Sequence, residues 1–138
     1  MSKTRVGIVG YGNLGRGVEA AISQNEDMEL VAVFTRRDPA SVVVKSNVPV
    51  YLVVDAPKYK EQIDVMILCG GSATDLPEQV PHFAQWFNTI DSYDTHAKIP
   101  AFFDAVDAVA QQHETISIIS VGWDPGLFSL NRLLGEAV

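Results

Sequence analysis

Two groups of residues in this sequence could do chemistry: a glycine-rich turn near the start, and charged residues placed after apolar runs. Gly10-Tyr11-Gly12-Asn13-Leu14-Gly15 matches G-x-G-x-x-G. A lone match says little. Here it follows the β-rich run Arg5 to Val9 and opens a stretch where Leu14, Val18, Ala21 and Ile22 recur at helical spacing. That is the context a dinucleotide-binding turn requires. Gly10 would allow the tight turn, Gly12 a close approach of pyrophosphate, and Gly15 close packing of helix on strand. The first helical amides would then face the anion. The plain alternative is a turn that merely packs. Thr35-Arg36-Arg37 follows the apolar run Leu30 to Phe34. A site for NAD usually places Asp or Glu there, to accept from the ribose 2′-hydroxyl. Two guanidinium groups instead suit a 2′-phosphate, so NADP is the expected cofactor. The alternative is that both arginines are solvated surface residues, and Asp38 could reach a 2′-hydroxyl if the strand ended later.

Further on, Cys69-Gly70-Gly71-Ser72 closes another apolar run. Small residues there would let a cofactor ribose lie against the backbone. Cys69 reads better as a small buried hydrophobe than as a nucleophile. Asp94 and Asp124 follow the fifth and sixth apolar runs. If those runs are neighbouring strands, the two carboxylates converge on a site for a cation, such as a substrate ammonium. Either could accept the proton an amine must lose before its carbon gives up hydride. The plain reading is that loop aspartates form turns, and Asp124 before Pro125 fits it. His82, His96 and His113 have no metal-ligand spacing with one another or with Cys69, so no metal is expected. His113 reads as surface and His96 as structural.

The elements that must position these residues alternate strand and helix. After Arg5–Val9 and the first helix come strands at 30–34 and 50–54, with Asp38-Pro39 as a turn and residues 40–49 weakly patterned. A short helix is expected over 57–62 and a strand over 65–69. A helix over 76–87 has prolines near its start, and a strand follows at 88–90. Then come a helix over 99–112, a strand over 115–121, and a helix from Leu127 to Val138. Six strands with crossover helices predict an α/β, doubly wound parallel sheet of Rossmann type in the order 3-2-1-4-5-6. Ligands of such sheets bind outside the carboxyl ends of the strands, where the candidate residues stand.

The bulk numbers bound this reading. The 138 residues make one domain, 1–138, with 47% hydrophobic content, enough for a sizeable core. No apolar run approaches membrane-spanning length. The start, Met1-Ser2-Lys3-Thr4, runs straight into a strand and leaves no signal peptide, and there is a single cysteine. Both point to the cytoplasm. A net charge of −7 argues against nucleic acid or an anionic membrane as partner. An anionic small ligand remains open, because Arg36-Arg37 supplies local positive charge.

Gly7 to Arg16, Phe34-Thr35-Arg36-Arg37, Gly71-Ser72-Ala73-Thr74-Asp75, Asp91-Ser92-Tyr93-Asp94 and Gly122-Trp123-Asp124-Pro125-Gly126 together resemble the meso-diaminopimelate dehydrogenases. The resemblance implies NADP-dependent oxidative deamination of meso-diaminopimelate to L-2-amino-6-oxopimelate, ammonia and NADPH. It implies that Tyr11 to Leu14 and Thr35 to Arg37 bind the cofactor, and that Cys69 to Ser72 with Ser92-Tyr93 line it. Asp94 and Asp124 would hold the amino group of the reacting D-centre, with Trp123 beside them. These enzymes are more than twice as long, so a substrate and dimerisation domain is expected to be absent from this chain, which then reads as an inactive piece of a homodimer. The rival reading is a stand-alone NADP(H)-binding sensor without turnover, which would not need Asp94, Trp123 or Asp124.

Overall fold

A computed structural model describes residues 2–137. Among them, six parallel strands form one sheet in the order β3-β2-β1-β4-β5-β6. They are β1 (Thr4–Val9), β2 (Met28–Thr35), β3 (Val50–Leu52), β4 (Val65–Leu68), β5 (Asn88–Asp91) and β6 (Ser117–Ile118). The helices are α1 (Asn13–Ile22), α2 (Leu76–Phe83), α3 (Ile99–His113) and α4 (Leu127–Glu136). This is the expected doubly wound order.

The alternation of side chains along the strands builds two cores. Val6 and Ile8 of β1 and Val33 of β2 pack with Ile22 of α1 on one face. Val9, Ala32, Phe34, Met66 and Leu68 point to the other face, against Leu76, Val80 and Phe83 of α2 and Phe102 and Val106 of α3. Strands apolar on both faces are what a helix-covered parallel sheet demands. No helix among the described residues is long and apolar enough to cross a membrane.

Four elements depart most from expectation. The run 50–54 is a strand only to Leu52. Val53–Tyr59 then winds as a 3-10 helix in place of the one expected over 57–62. A short apolar run has no periodicity to separate the two states. Helix α2 ends at Phe83 rather than 87, and Pro81 lies inside it instead of near its start. The amides of Trp86 and Phe87 fold back on the Phe83 carbonyl, both at 3.0 Å, and turn the chain into β5. Strand β6 pairs with β5 at only two positions, Thr89↔Ser117 and Ile90↔Ile118, rather than over 115–121. Ser120 has a left-handed backbone, φ 58°, which breaks the ladder. The last helix runs as expected to Glu136, while Val138 lies outside the described residues.

Candidate dinucleotide cleft

The glycine turn lies at the carboxyl end of the central strand β1. Gly10 takes φ +90°, which favours glycine, and its amide donates to the Phe34 carbonyl at 2.8 Å. A side chain at Gly15 would collide with the Gly10 carbonyl, so only glycine lets α1 start this close to β1. Gly12, at the N-cap, faces open space. No side chain caps α1, so its first amides are left to the cleft.

That cleft has a volume of about 370 Å³. Its walls come from the glycine turn with Asn13 and Arg16, from Thr35-Arg36-Arg37 after β2, and from Cys69-Gly70-Gly71 with Asp75 after β4. Three guanidinium groups, those of Arg16, Arg36 and Arg37, face one carboxylate, so the cleft is net positive in a chain of net charge −7. Both arginines expected at the end of β2 are already engaged. Arg36 makes a two-point ion pair with Asp75, Nη1 to Oδ1 and Nη2 to Oδ2, each 3.0 Å. Arg37 donates from Nη2 to the Tyr11 carbonyl at 3.0 Å. Asp75 also accepts from the Gly71 amide at 2.9 Å. That bond, with Arg36 adding, holds its carboxyl below the usual range. Asp38 spends its carboxylate on the Ala40 amide as a turn, 3.1 Å away.

Several side chains point away from the cleft. Tyr11 lines it through its backbone, while its buried ring packs inward and its hydroxyl donates to Glu19 Oε2. Leu14 is exposed on α1. Cys69 is half-buried, and burial pushes its thiol up to about 12, which leaves it inert as a nucleophile at neutral pH.

At the far strand ends, Ser72 accepts from the Asp94 amide at 2.8 Å, joining the loops after β4 and β5. Ser92 is half-buried and Asp94 exposed, while the Tyr93 ring is buried 4.2 Å from Phe102. Trp123 is exposed, with its ring 6.2 Å from Phe128. Asp124 precedes a cis peptide to Pro125. Its Oδ1 accepts from Ser129 Oγ at 3.0 Å and lies 3.4 Å from Arg132 Nη2 and 3.8 Å from His96 Nε2. The loops after β5 and β6 therefore meet through His96 and Asp124. Asp75 and the partners of Asp124 escape a reading of the sequence, because each contact depends on how distant loops fold. The signal available for Asp75 was its place at the start of a helix. No group of three or more metal-ligating side chains gathers among the described residues.

No protein-family model matches the chain. All 138 residues align with the N-terminal part of a meso-diaminopimelate D-dehydrogenase from Lysinibacillus sphaericus at 80% identity, covering 42% of that protein. An engineered D-amino acid dehydrogenase bound to NADP+ superposes with a TM-score of 0.88 at 45% identity, over 99% of this chain and 41% of that one. The diaminopimelate dehydrogenase of C. glutamicum in complex with diaminopimelate gives the same TM-score and identity, over 99% and 42%. The chain thus spans about two-fifths of the length of the relatives it matches.

Proposed function

From its correspondence to the N-terminal part of meso-diaminopimelate D-dehydrogenases, we propose that this chain is the NADP(H)-binding part of such an enzyme. The reaction is the reversible oxidative deamination of the D-centre of meso-diaminopimelate, giving L-2-amino-6-oxopimelate, ammonia and NADPH. Water supplies the carbonyl oxygen.

The observation that carries this reading is the cleft itself. Its glycine face is open at Gly12, its helical amides are uncapped, and its rim is positive. Those are the features a dinucleotide with an extra phosphate needs. Gly10 to Gly15 would hold the pyrophosphate, and Arg36 and Arg37 the 2′-phosphate. Cys69 to Ser72 with Ser92-Tyr93 would border the nicotinamide end. The cofactor supplies the hydride acceptor. Asp94 and Asp124 would hold the substrate ammonium and take its proton, with Trp123 against the substrate. The side-chain hydrogen bonds of Asp124 fall on Oδ1, so among the described residues Oδ2 keeps its hydrogen-bonding capacity for a ligand.

On this reading the remainder of the enzyme binds the distal L-centre and forms a homodimer, in the cytoplasm, with no nucleic acid or membrane as partner. The acidic balance of the chain supports the last point. No observation favours the non-catalytic sensor. The test is to incubate the full-length protein with meso-diaminopimelate and NADP+ and follow NADPH absorbance. Substrate-dependent NADPH formation is expected. Firm NADP+ binding without any turnover of diaminopimelate would overturn the reading.

A further inference from the structure

The ladder between β5 and β6 stops at Ile90↔Ile118, yet the two strands stay joined beyond it. The next residue of β5, Asp91, takes over the pairing. Its carbonyl accepts from the Val121 amide at 2.8 Å. Its side-chain Oδ1 accepts from the Ser120 amide at 3.0 Å and from the Tyr93 amide at 2.8 Å. One oxygen therefore grips the start of the loop that carries Asp94 and the left-handed residue that launches the loop carrying Trp123 and Asp124.

An aspartate needed only for an Asx turn would sit on the surface at no cost. Asp91 is 2% exposed. Among the described residues, three buried side-chain polar atoms lack a hydrogen-bond partner, and two of them, Asp91 Oδ2 and Ser120 Oγ, belong to this junction. Burial also pushes the Asp91 carboxyl above the usual range, against the pull of the Ser120 and Tyr93 amides. A buried carboxyl with an unpartnered oxygen is costly, and a costly group set between two loops of the site points to a task.

We infer that Asp91 is a positioning residue for the amino-group end of the site, its buried Oδ1 fixing the loop of Asp94 relative to the loop of Trp123 and Asp124. The inference rests on the proposed dehydrogenase function. Asp91 is too buried to touch substrate itself. It acts through the two loops, and the loop after β4 joins them through Ser72 and the Asp94 amide. A displacement of about 1 Å at a reacting centre can cost on the order of a hundredfold in rate, so a tie of this kind has leverage.

The test uses the full-length enzyme and separates chemistry from cofactor binding. Asp91→Ala frees both amides, and its kcat with meso-diaminopimelate should fall by at least about tenfold, with NADPH affinity held within about threefold. Asp91→Asn keeps an acceptor oxygen in place and should restore kcat to within about threefold of wild type. Should the alanine variant fail to fold, Asp91→Ser takes its place. A serine hydroxyl can serve the amide two residues on but is too short to reach Ser120 as well, so the same loss of kcat is expected. Normal kcat in the folded Ala or Ser variant would overturn the inference. So would an equal loss of NADPH affinity, or an Asn variant as impaired as Ala. A wild-type enzyme inactive on diaminopimelate would instead sink the proposed function, and this inference with it.

Discussion

Arg36 and Asp75 stand 39 positions apart and meet in a two-point ion pair at 3.0 Å. Arg36 follows β2 and Asp75 precedes α2, so the pair bridges over the end of β1, which lies between β2 and β4. Asp75 is the fixed partner, nearly buried and held by the Gly71 amide, whereas the Arg36 side chain is 66% exposed. The guanidinium that would meet a 2′-phosphate is therefore anchored on one side and open on the other.

Replacing Arg36 and Arg37 together with alanine should weaken NADP binding at least tenfold, since each charge-assisted bond is worth about 1.5–3 kcal/mol. NAD binding should change little, because the 2′-phosphate is the group that distinguishes the cofactors. Calorimetry with both nucleotides decides the matter. A double variant that still prefers NADP would show that the arginines are surface residues only.

Asp124→Asn should impair turnover of meso-diaminopimelate by about a hundredfold or more, the usual worth of a general base. Asparagine still accepts from Ser129, so the turn should survive. NADPH affinity should stay within about threefold, because Asp124 lies after β6 and is not among the residues of the arginine-rimmed cleft. Near-normal kcat/KM would reduce Asp124 to a turn former.

Glu19 governs an acid-dependent part of stability. Burial alone would raise its carboxyl. Hydrogen bonds from Ser46, Tyr11 and the Lys45 amide outweigh burial and hold it below the ordinary value. A depressed carboxylate contributes fully above its unfolded pKa, about 4.3, and its contribution disappears as pH falls through the lower folded value. Glu19→Gln should therefore cost about 1–3 kcal/mol at pH 7, with the gap between wild type and variant narrowing as pH falls below the unfolded value of about 4.3. Urea midpoints across that range test it. A gap that stays constant with pH would contradict the account.

Cys69, with its thiol pushed up to about 12 by burial, should resist alkylation in the native protein. The rate at pH 8 should rise by orders of magnitude on unfolding, when the thiol returns to about 8.5. Rapid native-state labelling, followed by mass spectrometry, would place the thiol at an accessible surface.

Local features were legible in the sequence, and features closed by distant partners were not. Gly10 to Gly15 is a contiguous motif, and β1, β2 and β4 are contiguous apolar runs, so the glycine turn and the strand–helix alternation that implies the sheet order were legible from neighbours in the chain. The early end of β6 depends on a left-handed backbone at Ser120 that Asp91 holds by reaching across from β5, a partner that no window around residue 118 contains. The same holds for Arg36 with Asp75, and for His96 and Arg132 around Asp124. Tyr11 adds a question of direction. The motif marks its backbone for the cleft, but only packing turns its ring onto Glu19.

The two strands at the margins of the sheet are its shortest, with three residues in β3 and two in β6. An outer strand exposes unpaired amides and carbonyls that can recruit a strand from another molecule, and the hazard grows with the length of the free ladder. Here the central strands carry the long hydrogen-bonded runs, and the margins offer a foreign strand only a few peptide groups to grasp. The arrangement guards the sheet against edge-to-edge polymerisation without charged or proline gatekeepers within either outer strand.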